Sequence, residues 1–92
     1  MTRITTHVLD TAAGRPAPGV PVVLEGLGGA VTDADGRATL GTVEPGTHRL
    51  TFDVAGRFYP EVTIVFVATA EDEHLHIPLL LSPFGYTTYR GS

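Results

Sequence analysis

The side chains in this 92-residue chain best suited to moving protons and holding anions are its four histidines and six arginines. His74 and His76 are one residue apart. In a strand that spacing puts both imidazoles on one face while Leu75 and Ile77 take the other. Imidazole titrates near neutral pH unaided, so a histidine can take a proton from water and return it. His7 adds a third ring, and three histidines would suffice for zinc. Two alternate strand histidines are a weak signal for a metal, however, and no metal is expected. Every cation is an arginine, at positions 3, 15, 37, 49, 57 and 90. A guanidinium is always charged and grips planar oxyanions through paired hydrogen bonds. The arginines are scattered rather than clustered, and the net charge is −4, which argues against nucleic acid as a partner. The chain has no cysteine, so disulfide frameworks and thiolate metal sites are out.

Strands must position these groups, because no stretch holds a helical period over ten or more residues. Turn signals recur every eight to twelve residues, the spacing of a sandwich or barrel. The first strand spans Ile4 to Leu9, with Thr5, His7 and Leu9 sharing one face. The run from Asp10 to Gly19 is rich in Gly and Pro and reads as loop. Strands follow at Val20 to Glu25 and Ala30 to Thr32. Asp33-Ala34-Asp35-Gly36 is a tight turn; it resembles a calcium loop only superficially, since the remaining ligands and the closing glutamate are missing. Arg37 to Val43 is the fourth strand. In the fifth, Thr47 to Val54, the residues His48, Leu50, Phe52 and Val54 point inward, and His48 reads as structural. Arg49 and Arg57 are solvated.

The sixth strand, Glu61 to Val67, is apolar on both faces, with Val62, Ile64 and Phe66 on one and Val65 and Val67 on the other. With no helix to cover the second face, another subunit is the natural candidate. The segment from His74 to Ser92 then forms a hairpin, one strand about His74 to Leu81 and a second at Tyr86 to Arg90, turned by Ser82-Pro83-Phe84-Gly85. The sum is one domain over residues 1–92, an all-β antiparallel sandwich of seven to eight short strands with little or no helix. A domain this small buries about 60–65% of its unfolded surface, and oligomerisation is a common supplement. No stretch is apolar enough for a signal peptide or a membrane span, so the expected location is the cytoplasm.

The run His76-Ile77-Pro78-Leu79-Leu80-Leu81-Ser82-Pro83, together with the tetrapeptide Tyr89-Arg90-Gly91-Ser92, closely resembles the 5-hydroxyisourate hydrolases, the transthyretin-related enzymes of urate breakdown. The resemblance implies the transthyretin (prealbumin-like) fold and a cofactor-free hydrolysis of the lactam bond of 5-hydroxyisourate. It also implies a homotetramer with sites in a channel between subunits. Three positions match the family's functional residues: His7 in Thr6-His7-Val8-Leu9-Asp10, Arg37 after Asp35-Gly36, and His76. Tyr89, Arg90, Gly91 and Ser92 complete the implied site as substrate-binding residues. Water adding to a cyclic amide needs a base, for which His7 is the choice, with His76 as its partner. The charge that develops on the carbonyl oxygen needs preorganised cationic donors, for which Arg37 and Arg90 are suited. Compared with the family pattern the chain is shorter at Gly26 to Thr32, and between Phe52 and Glu61 it omits the insertion that carries the family's one short helix. The alternatives are a related hydrolase of another cyclic amide or imide, and a non-catalytic binding or assembly module like transthyretin.

Overall fold

In the computed structural model, which describes residues 1–92, the chain forms ten strands and no helix: β1 (Thr2–Asp10), β2 (Arg15–Pro16), β3 (Pro21–Leu24), β4 (Gly28–Val31), β5 (Arg37–Val43), β6 (Gly46–Asp53), β7 (Glu61–Ala68), β8 (His74–His76), β9 (Leu79–Ser82) and β10 (Gly85–Thr88). β1 runs through the middle of the larger sheet. On one side it pairs antiparallel with β5 and then β2; on the other it pairs parallel with β8 and then β9, and β10 returns antiparallel along β9. The second sheet is a four-stranded antiparallel set in the order β4-β3-β6-β7. The all-β sandwich expected from the turn spacing is the observed architecture.

Period-two alternation sets what each sheet buries. Ile4 and Val8 of β1, Val22 and Leu24 of β3, and Leu50 and Phe52 of β6 are almost wholly inaccessible, and Val43, Val62, Leu75 and Leu79 join them between the sheets. At about 25 cal/mol per Å² of apolar surface removed from water, this layer is the main stabilising term. The residues of β1 between the core positions, Thr5 and His7, lie on the sheet's opposite face and are half-buried.

Three local features depart from the simple strand reading. The run from His74 to Leu81 is divided at Ile77-Pro78 into β8 and β9. Proline has no N–H for a ladder. Around the break, the Ile77 amide donates to the Thr5 carbonyl at 2.9 Å, the Thr6 hydroxyl donates to the Ile77 carbonyl at 2.6 Å, and the Thr88 hydroxyl donates to the Pro78 carbonyl at 2.8 Å. Within the segment expected to be loop, Arg15 and Pro16 pair with Asp10 and Leu9 as β2. The pairing of β1 with β5 also slips by one residue, so that Ile4 faces Gly41 while Thr5 faces Thr39. Gly41 sits at φ +118°, a conformation an L side chain rarely adopts.

The shortened segment after β6 closes without a helix, as the missing insertion implied. The amides of Val54 and Ala55 both donate to the Pro60 carbonyl, at 3.2 and 3.1 Å. On β7 the outer positions Val65 and Val67 remain 52% and 63% accessible, while Ile64 and Phe66 are half-buried. His48 keeps its structural place, with Nε2 donating to the Glu44 carbonyl at 2.7 Å and the ring 5.8 Å from Phe66. Arg49 is exposed but paired, its Nε 3.3 Å from Glu25 Oε2. An exposed pair of this kind contributes about 0–1 kcal/mol.

Candidate active site

Strand register, rather than any local motif, assembles the histidines. Thr5 is the Cα partner of His76 across the parallel β1–β8 pairing, and His7 is the partner of Arg37 across the antiparallel β1–β5 pairing. Partners in register share a face, so His76, Thr5, His7, Arg37 and Thr39 all project from the side opposite the core. There they meet a polar cleft of about 350 Å³, lined by Thr5, Asp33, Arg37, Thr39, His74, His76 and Ser92, with Ala38 its only apolar residue. His7 lies beside this cleft on β1. A larger groove of about 720 Å³, walled by Phe58, Tyr59, Phe84 and Tyr86, carries none of the histidines.

Arg37 is aimed by the turn before it. Asp33 Oδ1 accepts the amides of Asp35 at 2.9 Å and Arg37 at 3.0 Å, so this carboxylate fixes backbone geometry. Gly36 is required twice over. Its φ is +75°, and a Cβ there would lie 2.4 Å from the Val8 carbonyl oxygen, which presses the turn against β1. No three His, Cys, Asp or Glu side chains converge in an arrangement that could hold a metal ion.

The hydrogen bonds fix the rings. His7 Nε2 lies 2.8 Å from the Asp35 carbonyl oxygen. A carbonyl only accepts, so the neutral ring carries its proton on Nε2 and leaves the Nδ1 lone pair free. His76 Nδ1 is 2.8 Å from the Thr5 hydroxyl, and the same hydroxyl is 2.6 Å from His74 Nε2. Burial pushes the His76 pKa below its ordinary 6.5, and Arg37, His74 and His7 push it the same way by disfavouring another positive charge. His76 is therefore neutral at physiological pH.

The tetrapeptide divides. The Gly91 amide donates to the His76 carbonyl at 2.8 Å, an isolated bridge that draws the chain over the imidazole, and Ser92 then lines the cleft. A Cβ on Gly91 would lie 2.6 Å from His76 Cδ2. The ring cannot swing aside without losing its bond to Thr5. Gly91→Ala is expected to lower kcat on the order of 10- to 100-fold by displacing the ring, while the melting temperature stays within about 4 °C, since the residue lies at the sheet edge. Steady-state kinetics beside a melting curve checks this.

Tyr89 and Arg90, in contrast, open on a neighbouring groove with Ile64, Phe66, Val67 and Leu75, which meets the cleft only at His76, a residue that lines both. The Arg90 guanidinium reaches Asp72, Nη2 to Oδ1 at 2.9 Å. Asp72 in turn is held below its ordinary carboxylate value, chiefly by the Thr69 amide at 2.8 Å and further by the Thr69 hydroxyl and Arg90. Thr5 and His74 line the cleft although the sequence pattern assigned neither a role there. Sharing a face with His7 and His76 was the available signal.

The model of the HIUase/transthyretin family matches residues 4–91. The chain belongs to that family. Relatives span it almost end to end. The 5-hydroxyisourate hydrolase of Mus musculus is 42% identical over 111 residues, covering 97% of this chain and 94% of that one. The enzyme of the same name from Caulobacter vibrioides is 40% identical over 115 residues, covering all of both. The bifunctional uric acid degradation protein of Arabidopsis thaliana is 42% identical over 119 residues, but the chain spans only 37% of it. Among solved structures, the 5-hydroxyisourate hydrolase of Klebsiella pneumoniae superposes with a TM-score of 0.89 at 36% identity, covering 100% of this chain and 94% of that chain. Sea bream transthyretin in complex with thyroxine gives 0.82 at 29% identity, covering 96% and 93%. These likenesses fit a prealbumin-type sandwich, and they agree with the resemblance carried by His76 to Pro83 and by the tetrapeptide.

Proposed function

We propose that this member of the family opens the lactam ring of 5-hydroxyisourate, and that the cleft on the outer face of β1, β5 and β8 is where it does so. The observation that carries the assignment is the convergence of His76, Arg37 and Ser92 on one polar cleft with His7 beside it. Relatives of similar length at about 40% identity are named for that hydrolysis, and the chain is a hydrolase of this type. A cleft with a single apolar lining residue suits a polar heterocycle and is ill matched to an apolar hormone.

In this mechanism the Nδ1 lone pair of His7 takes a proton as water adds to the lactam carbonyl. Arg37 faces the oxygen on which negative charge accumulates, where a preorganised donor contributes most. His76 delivers a proton to the ring nitrogen as its bond to carbon breaks, leaving a carboxylic acid and a ring-opened product. Ser92, held in place by Gly91, contacts the substrate. Tyr89 and Arg90 are assigned to the part of the site shared between copies, in a homotetramer for which the accessible Val65 and Val67 of β7 argue. No cofactor enters any step.

The experiment is the ultraviolet decay of freshly generated 5-hydroxyisourate with and without protein, beside light scattering at micromolar concentration. The expected results are decay well above the buffer rate and a mass of four chains. Decay at the buffer rate would remove the substrate assignment, and a monomeric mass would remove the shared site.

A further inference from the structure

Thr5 is an ordinary strand residue by type, since a β-branched side chain suits a pleated surface. Its hydroxyl, though, lies within hydrogen-bond distance of two imidazoles at once, 2.6 Å from His74 Nε2 and 2.8 Å from His76 Nδ1. One hydroxyl has one proton to donate and lone pairs to accept with. It can donate to only one of the rings, so at least one ring must offer it an N–H. The two histidines cannot choose their tautomers independently. The rings stand 6.3 Å apart, and His74 is exposed to solvent while His76 is half-buried against the cleft.

We infer that Thr5 is a positioning residue for the proposed hydrolysis, joining His74 and His76 into a single proton wire from solvent to the cleft. The inference rests on the role given to His76 above, which also sets the direction of the chain. His74 Nε2–H donates to Thr5 Oγ1, Thr5 O–H donates to His76 Nδ1, and His76 Nε2–H points toward the substrate nitrogen.

A neutral imidazole is a poor acid by itself, because losing its only N–H leaves an anion. The wire removes that obstacle. As His76 Nε2 gives its proton to the leaving nitrogen, the Thr5 hydroxyl proton passes to His76 Nδ1, and the His74 Nε2 proton passes to Thr5 Oγ1. His74 Nδ1 takes one proton from solvent. One proton enters at His74, one leaves to the substrate, and no ring becomes anionic. The charged and titratable groups facing His76 are His7 on β1, Arg37 on β5, His74 on β8 and Asp33 in the turn before β5, with Tyr89 and Arg90 across the neighbouring groove that His76 also lines; Arg3 stands opposite His74 in the β1–β8 register. Except for Asp33 and the Tyr89 phenol these are cations or imidazoles. A pathway that moves protons without leaving positive charge on His76 suits that setting.

The test pairs Thr5→Val, which keeps the shape and removes the hydroxyl, with Thr5→Ser, which restores it. Kinetics on 5-hydroxyisourate and long-range proton–nitrogen NMR of the imidazoles are read together. Thr5→Val is expected to lower kcat about 10²-fold, the lower end for general acid–base catalysis, with KM within about twofold. Thr5→Ser is expected to recover most of the loss. In the NMR arm, neutral His74 and His76 of the unmutated protein both carry their proton on Nε2, and in Thr5→Val the tautomer of one ring no longer depends on that of the other. A Thr5→Val enzyme with unchanged kcat, or a Thr5→Ser enzyme as slow as Thr5→Val, would overturn the wire. So would His76 protonated on Nδ1 in the unmutated protein. The NMR arm needs no substrate. If the unmutated protein leaves 5-hydroxyisourate untouched, the functional assignment fails while the coupled tautomers are still decided.

Discussion

His76→Asn is expected to lower kcat for 5-hydroxyisourate by about 10²–10⁴-fold, the range for losing a positioned acid–base group. The amide keeps polar contact near Thr5 but cannot pass a proton from one side of a ring to the other. Because the residue is half-buried at the edge of the sandwich, KM and the fold should survive. The same variant carries a signature in stability against pH. In the folded protein the His76 pKa is pushed below 6.5, first by burial and then by Arg37, His74 and His7. The unfolded chain therefore binds more protons in the window just below that value, and stability rises with pH there. The increment is complete above about 6.5 and is lost as pH falls toward the folded pKa. Melting curves between about pH 5 and 7 should show a shallower dependence in His76→Asn than in the unmutated protein. Near-normal turnover in the variant would end the role given to this ring.

The second large effect is at Arg37. Arg37→Gln removes the only cation lining the cleft and is expected to cost about 10²–10³-fold in kcat, the scale for deleting one donor to a developing oxyanion. KM should rise as well, since a planar anionic heterocycle loses its paired hydrogen bonds. Arg37→Lys should recover only part of the activity, because an ammonium keeps the charge but not the planar fork. An independent readout is the His76 pKa. Burial holds it down first and Arg37 second, so Arg37→Gln should let it climb part of the way toward 6.5, measurable by NMR titration. A rate unchanged in Arg37→Gln would move charge stabilisation elsewhere in the site.

Much of this molecule can be read from its residues, and what cannot be read has a common cause. β6 is legible because His48, Leu50 and Phe52 alternate with polar neighbours, and the turn at Asp33 to Gly36 is legible because its residue types act on backbone within a few positions. The division of His74 to Leu81 into β8 and β9, and their parallel pairing with β1, depend on partners some seventy positions away. The same distance hides Thr5, whose type says only that it suits a strand. A gap of 18 positions hides the destination of Arg90, since Asp72 becomes a partner only once Thr69 to Glu73 has folded. His7, Arg37 and His76 were singled out through the family pattern. The geometry adds how they meet: two register pairings on either side of one strand.

That central strand also orders the events of folding. β6 and β7 lie next to each other in sequence, and β3 joins them over a short span, so the smaller sheet can form from nearby segments. β1 has no comparable local partner on its β8 side. Its contacts there, from the Thr2 hydroxyl on the Asp72 carbonyl 70 positions away to Val8 beside Leu79, close loops nearly as long as the domain. Such closures are entropically costly and slow. While the chain emerges from the ribosome, β1 must wait with one edge bare until the histidine segment arrives. The cleft thus exists only once the segments at both ends of this span have paired.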